Sequence, residues 1–153
     1  MPTTVLFAAP TGGLSRRELQ AFARKLEQQV TRGRSFSCLV TTDTELRRLN
    51  RTFRKKDQPT DVLSFPAEES TGESLGELAI SIHRARAQAA EFGHTVSTEI
   101  EILMLHGVLH LLGMDHEADR GEMSRAERKW RIQLGLPASL IERARKTKPP
   151  MNA

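Results

Sequence analysis

The chain has 153 residues, of which 38 % are hydrophobic and 27 % are charged, with one cysteine and a formal net charge of +4. This composition predicts a single globular domain and excludes a disordered chain, a disulfide-stabilised scaffold and a membrane-spanning protein. Because no basic segment precedes the short apolar N-terminus, we expect no signal peptide, no membrane partner and a cytoplasmic location.

In chain order, alternating apolar residues predict strands, and apolar residues three or four positions apart predict helices. For the first half of the chain we expect a strand at 3–9, a helix opened by Ser15 and ended by Gly33, a strand at 36–40, a helix capped by Thr42 or Asp43, and a strand at 62–65 stopped by Pro66. Residues 54–61 and 67–74 are predicted to be polar loops.

For the second half we expect a strand holding Leu78, Ile80 and Ile82, helices over 83–92, 97–112 and 121–134, and a last helical turn or two within 136–145. The order βαβαββααα predicts an α+β fold in which a small four-stranded mixed sheet is covered by about five helices. We expect one domain over residues 1–146 and a disordered basic tail over 147–153.

A basic segment lies at the end of the second predicted helix. Six of the ten residues from 47 to 56 are arginine or lysine: Arg47, Arg48, Arg51, Arg54, Lys55 and Lys56. Such a density of positive charge is typical of a surface that binds a polyanion. An ordinary solvated helix face is the competing explanation.

The most informative pattern is HGVLHLLGMDH at residues 106–116. On a helix, His106 and His110 share one face, one turn apart. Gly113 can adopt the left-handed conformation that ends a helix, so the chain can return His116 to the same point. Three convergent neutral imidazoles with an open fourth position suit one catalytic zinc ion per chain, and other divalent metals could take its place. The alternative is two exposed helix histidines and an unrelated loop histidine.

This spacing also matches the metzincin protease pattern H-E-x-x-H-x-x-G-x-x-H, except that Gly107 stands where those proteases have glutamate. In the proteases that glutamate is the general base. Glycine has no side chain to take this role, so a metallopeptidase is the least favoured of the hydrolase alternatives.

A second region makes a more specific interpretation possible. LNRTFRKKDQPTDVLSFP at 49–66, followed by LGELAIS at 75–81 and then by the histidine segment, resembles the YbeY family. That family comprises bacterial single-domain metal-dependent endoribonucleases of ribosomal RNA maturation. The resemblance implies that His106, His110 and His116 are zinc ligands and that Arg54 is the family's functional arginine.

Chemical roles follow for the candidate residues. The planar guanidinium of Arg54 matches phosphate oxygens, so Arg54 and the ligand His110 are the predicted catalytic residues. Asp115 is a candidate either for orienting a ligand histidine or for acting as general base. Sequence-independent contacts to the RNA backbone are predicted for Arg47, Arg48, Arg51, Lys55 and Lys56.

The expected function is hydrolysis of single-stranded RNA by a zinc-dependent endoribonuclease, in 3′-end maturation of small-subunit ribosomal RNA and in ribosome quality control. Ribosomal RNA and the small ribosomal subunit are the expected partners. Gly107 keeps a second hypothesis open, because no obvious general base replaces the missing glutamate. In that hypothesis the chain is a ribosome-assembly or RNA-binding factor with little catalysis of its own.

Overall fold

The computed structural model describes residues 3–54, 60–68, 72–138 and 140–147. The strands are β1 (Thr4–Phe7), β2 (Ser35–Thr41), β3 (Val62–Pro66) and β4 (Ser74–Ser81). The helices are α1 (Arg16–Gln29), α2 (Asp43–Arg54), α3 (Ile82–Phe92), α4 (Val96–Leu111), α5 (Glu122–Leu134) and α6 (Leu140–Thr147). None of the helices in these ranges is long and apolar enough to cross a membrane.

The four strands form one mixed sheet in the order β1-β2-β4-β3. The β1–β2 and β2–β4 pairs are parallel, and β3 runs antiparallel to β4. The parallel pairs are joined by helical crossovers, whereas the short connection from β3 to β4 leads to an antiparallel neighbour. The predicted α+β domain with a four-stranded mixed sheet is therefore confirmed.

The two faces of the sheet are covered by different helices. Side chains alternate between faces along a strand, so Leu78 and Ala79 of β4 point in opposite directions. Leu78 belongs to the main core with α1 and α4, whereas Ala79 belongs to a small second cluster with Leu46 of α2 and Leu63 of β3. Helices α2 and α4 consequently lie on opposite faces of the sheet.

Helix α4 is the centre of the main core. Its side chains are buried on every side, including Ile100, Leu103, Met104 and Leu105. A helix that is apolar all round belongs inside a protein, packed by neighbours on each face. The Thr95 side chain accepts the Thr98 backbone N–H and caps the start of the helix.

Several predicted boundaries are wrong. Ile82 is not in the fourth strand but begins α3, because the Ser81 side chain accepts the Arg84 N–H as an N-cap. Ile82 is nevertheless buried, since it enters the same core from the helix. Ser74, predicted as loop, opens β4 and pairs with Ser35 of β2. Strand β1 is also shorter than predicted, and the last helical turns form a sixth helix.

Candidate metal centre

The end of α4 and the turn after it position the three motif histidines. Gly113 has φ +94°, the left-handed conformation predicted from the sequence. Its N–H donates to the His110 carbonyl (2.9 Å), and the Met114 N–H donates to the Leu109 carbonyl (3.1 Å). These bonds end the helix and reverse the chain, as in glycine-terminated helices generally. His116 lies in the turn that follows.

The three imidazoles converge as predicted. One ring nitrogen from each of His106, His110 and His116 can be chosen so that all three lie within 4.8 Å of one another. The Nε2 atoms of His106 and His110 are 3.2 Å apart, and tetrahedral zinc with its usual Zn–N bonds would hold ligand atoms about 3.3 Å apart. Nδ1 of His116 is buried without a hydrogen-bond partner among the described residues. These residues therefore fit a divalent metal ion.

The surroundings of His110 favour its neutral form. Burial lowers the pKa of His110, and the neighbouring His106 and His116 lower it further. A backbone hydrogen bond to Met114 and the charge of Asp115 oppose this shift. A histidine must be neutral to bind a metal, so the lowered pKa of His110 favours the form in which it can act as a ligand.

A buried carboxylate, Glu127 of α5, orients one of these histidines. Its Oε2 lies 2.7 Å from Nδ1 of His106, and its Oε1 accepts the Ile141 backbone N–H (2.9 Å). Glu127 is 1 % exposed. A carboxylate at Nδ1 keeps the proton there and leaves the Nε2 lone pair for a metal, the usual arrangement around metal-bound histidines.

Sequence reasoning missed Glu127, although a signal was present. Glu127 follows the fully buried Met123 by one helical turn and so lies on the buried face of α5. A glutamate at such a position needs a buried partner, and a neighbouring histidine cluster is the natural candidate.

The packing of α4 against the sheet explains why glycine stands at position 107. A Cβ built on Gly107 would lie 2.7 Å from Cδ2 of Leu78 and 3.3 Å from Cγ2 of Val62. Leu78 is 1 % exposed and cannot move aside freely. Helix α4 thus approaches the sheet so closely that a side chain at this position, such as the glutamate of the protease pattern, would force the buried Leu78 side chain to shift.

A cavity of about 340 Å³ opens beside His106 and His116. Asp61, Phe92 and Arg143 also line it. The Asp61 carboxylate accepts the Val62 N–H (2.8 Å) and the Gln88 side-chain amide (3.1 Å). Burial raises the pKa of Asp61 above its ordinary value, against the opposing effect of His106. The sequence predicted only that Asp61 ends the polar loop 54–61 and did not indicate its place in this cavity.

A buried ion pair closes the far end of the same cavity. Both Arg143 guanidinium NH₂ groups donate to the Glu99 carboxylate at 2.7 Å, and Glu99 is fully buried. His94 Nε2 lies 2.7 Å from the same carboxylate, and the guanidinium stacks 4.2 Å from the centre of the Phe92 ring. These contacts fix α6 against α3 and α4, and so they fix one wall of the cavity.

The other predicted site residues are more scattered. Asp115 is exposed, and its carboxylate accepts the Glu117 backbone N–H (3.0 Å) instead of a histidine N–H. On α2, Arg47, Arg48 and Arg51 are exposed, and Arg48 forms a bidentate ion pair with Glu45. Arg54 is the last residue of α2, but its side chain lies outside the described part, as do Lys55 and Lys56 entirely.

Comparison with known proteins gives a family match over most of the chain. Residues 13–135 match the family model described as "Endoribonuclease YbeY". A relative of that name from Solibacter usitatus is 60 % identical over 141 residues, which cover 92 % of this chain and 94 % of the relative. Another, from Koribacter versatilis, is 46 % identical over 97 % of this chain and 95 % of its own length.

A solved structure shares the fold. The solution structure of TM1509 from Thermotoga maritima matches with a TM-score of 0.58 and 28 % identity, covering 90 % of this chain and 94 % of that chain. The family match and the relatives both span most of the sequence, including the whole histidine segment. This chain therefore belongs to the YbeY family.

Proposed function

We propose that this protein is a metal-dependent endoribonuclease that hydrolyses phosphodiester bonds in single-stranded RNA. The observation that carries the proposal is the convergence of His106, His110 and His116, with Glu127 behind His106, in a chain whose relatives are named endoribonucleases. The proposed substrate is ribosomal RNA, at the 3′ end of the small-subunit RNA and in ribosome quality control. The small ribosomal subunit would be the partner, which would place the reaction in the cytoplasm.

The three imidazoles would hold one divalent ion, for which zinc is the first choice because the ligand set is all nitrogen. When bound, that ion would supply Lewis-acid activation of a phosphate oxygen or of a water molecule. Glu127 keeps the His106 proton on Nδ1. The Arg143–Glu99 pair holds α6 in place beside the cavity, so the cavity keeps its shape while substrate enters and leaves.

The proposed role of Arg54 is to bind the phosphate on which negative charge accumulates in the transition state. Two observations support this role. Arg54 ends α2, and it precedes Asp61, which lines the cavity beside the histidines, by seven residues in the sequence. The guanidinium fork suits phosphate oxygens better than a lysine would.

A peptidase function has less support. The position of the protease glutamate is Gly107, and a side chain there would force the buried Leu78 side chain to shift. In this chain no side chain is present at that position to act as general base.

The test is cleavage of a small-subunit ribosomal RNA 3′-end fragment by zinc-loaded protein. His110→Ala is purified identically beside wild type, and His83→Ala, an exposed histidine outside the cluster, is the matched control. We expect loss of cleavage in His110→Ala alone, by a factor of at least about 10³ for removal of an essential ligand. Equal cleavage by all three proteins would show a contaminating nuclease.

Arg54→Ala tests the second role in the same assay. We expect cleavage to fall about 10²–10³-fold, as for loss of one transition-state donor, with zinc content and thermal stability unchanged. Unchanged turnover would remove Arg54 from the mechanism. Absence of cleavage in wild type, with RNA binding retained, would favour the assembly-factor function instead.

A further inference from the structure

A second cavity touches the metal centre on the side of α5. It measures about 540 Å³, and its lining holds three arginines, two carboxylates, a serine, a glycine and a motif histidine: Arg120, Arg125, Arg128, Asp119, Glu142, Ser124, Gly121 and His116. Arg125 and Arg128 are three residues apart on α5, so they lie on one face of the helix. The Nη1 group of Arg125 donates a hydrogen bond to the Arg120 carbonyl (3.4 Å) just before the helix begins. His116 lines both this cavity and the one beside His106.

The two carboxylates of the cavity have other partners: Asp119 binds backbone N–H groups, and Glu142 lies 3.9 Å from Arg131. Among the described residues, no carboxylate lies within ion-pair distance of Arg120, Arg125 or Arg128. The Asp119 carboxylate accepts the backbone N–H groups of Gly121 and Met123. All three arginines are exposed. Three guanidinium groups against two carboxylates leave an excess of positive charge beside His116, which suits an anion.

The basic residues of α2 are placed differently. Helix α2 packs on the sheet face opposite to α4, and Arg48 is already paired with Glu45. Neither cavity that includes His116 is lined by Arg47, Arg48 or Arg51. The sequence predicted a polyanion-binding surface on α2 because its basic residues are clustered, whereas Arg120, Arg125 and Arg128 are separated by acidic and other residues.

We propose that the α5 cavity binds phosphate groups of the single-stranded RNA next to the bond that is cut. The proposal rests on the proposed function and adds to it the path that the RNA strand follows across the protein surface. Each arginine offers a planar pair of N–H donors to phosphate oxygens, and the Ser124 hydroxyl offers another donor. A strand bound there continues directly to His116 and the metal centre.

The experiment compares three triple variants, each of which removes three positive charges. The α5 variant is Arg120→Gln, Arg125→Gln and Arg128→Gln, and the α2 variant is Arg47→Gln, Arg48→Gln and Arg51→Gln. The control is Arg17→Gln, Arg24→Gln and Arg32→Gln, exposed positions that line neither cavity. Binding of a fluorescein-labelled 2′-O-methyl RNA of about 15 nucleotides is followed by anisotropy from about 50 to 200 mM salt. Zinc content and cleavage of unmodified RNA are measured on the same preparations.

For the α5 variant we expect Kd to rise about tenfold or more. The slope of log Kd against log salt should fall by about 2, since each lost single-strand phosphate contact removes about 0.7. Zinc content should stay that of wild type, and the control should keep the wild-type slope. A wild-type salt slope in the α5 variant, or an equal loss of RNA affinity in the control, would overturn this inference. If the wild-type protein still cleaves RNA in that case, the proposed function stands. Wild-type protein that neither binds nor cleaves RNA would overturn both.

Discussion

Glu127 is the residue whose substitution tests the metal centre most directly. Each carboxylate oxygen accepts one buried N–H, from His106 Nδ1 at 2.7 Å and from Ile141 at 2.9 Å. In Glu127→Gln only one of these positions is an oxygen, and the other becomes an NH₂ that faces a donor. Either His106 or Ile141 must therefore lose its acceptor, whichever way the amide turns.

The expected magnitude follows from those two outcomes. A histidine ligand that loses its carboxylate partner weakens metal binding by about 10–100-fold. A buried Ile141 N–H without an acceptor costs about 1–3 kcal/mol of unfolding free energy. Glu127→Ala loses both hydrogen bonds, so it should both weaken metal binding and lower the unfolding free energy. Glu127→Gln should show mainly one of these effects, depending on whether His106 or Ile141 loses its acceptor.

Zinc affinity is measured by competition with a chromophoric chelator, and the unfolding free energy by urea titration in EDTA. Glu122→Gln is the matched control, because Glu122 is an exposed glutamate on the same helix that contacts no histidine. We expect wild-type zinc affinity for the control. Wild-type zinc affinity in both Glu127 variants, with the fold intact, would refute the assignment of Glu127 as the residue that orients His106.

Three further predictions concern packing and charge. Gly107→Ala should lower the unfolding free energy, measured by urea titration, by about 1–3 kcal/mol, because the new methyl meets Leu78 at 2.7 Å. Gly12→Ala is the control, because a methyl at Gly12 meets open space. Equal stability of the two variants would contradict the close approach of α4 to the sheet. Arg143→Ala should cost about 3–5 kcal/mol by leaving Glu99 buried with His94 as its remaining partner, and a loss below about 1 kcal/mol would show that the pair contributes little. Burial and a hydrogen bond with Glu18 raise the pKa of Glu101 from 4.5 to about 8. The folded state then binds more protons than the unfolded state between those values, so stability falls as pH rises from 4.5 to about 8. Glu101→Gln should remove this fall, and thermal unfolding curves of variant and wild type that shift in parallel with pH would contradict it.

Much of the site was predictable because helical geometry is local. The spacing of His106 and His110 predicts that their side chains share one helix face. Gly113 predicts the chain reversal that follows, and the structure confirms its left-handed conformation. Strand and helix types were predictable for the same reason, since apolar periodicity reports which face of each element is buried. The resemblance of residues 49–66 and 106–116 then indicated the family, which the comparisons confirm.

What the sequence could not determine depends on contacts between distant residues. Glu127 meets His106 across 21 positions, and Arg143 meets Glu99 across 44. No local periodicity reports such pairs, because they exist only once α5 and α6 pack around α4. Helices α2 and α4 lie on opposite faces of the sheet because they pack against different sets of its side chains. This arrangement determines which arginines line a cavity beside His116. The sequence by itself determined the three candidate ligands and the elements that carry them, since both follow from neighbouring residues. Only tertiary packing decided what supports those ligands and where charge collects around them, since both are set by elements that meet far apart along the chain.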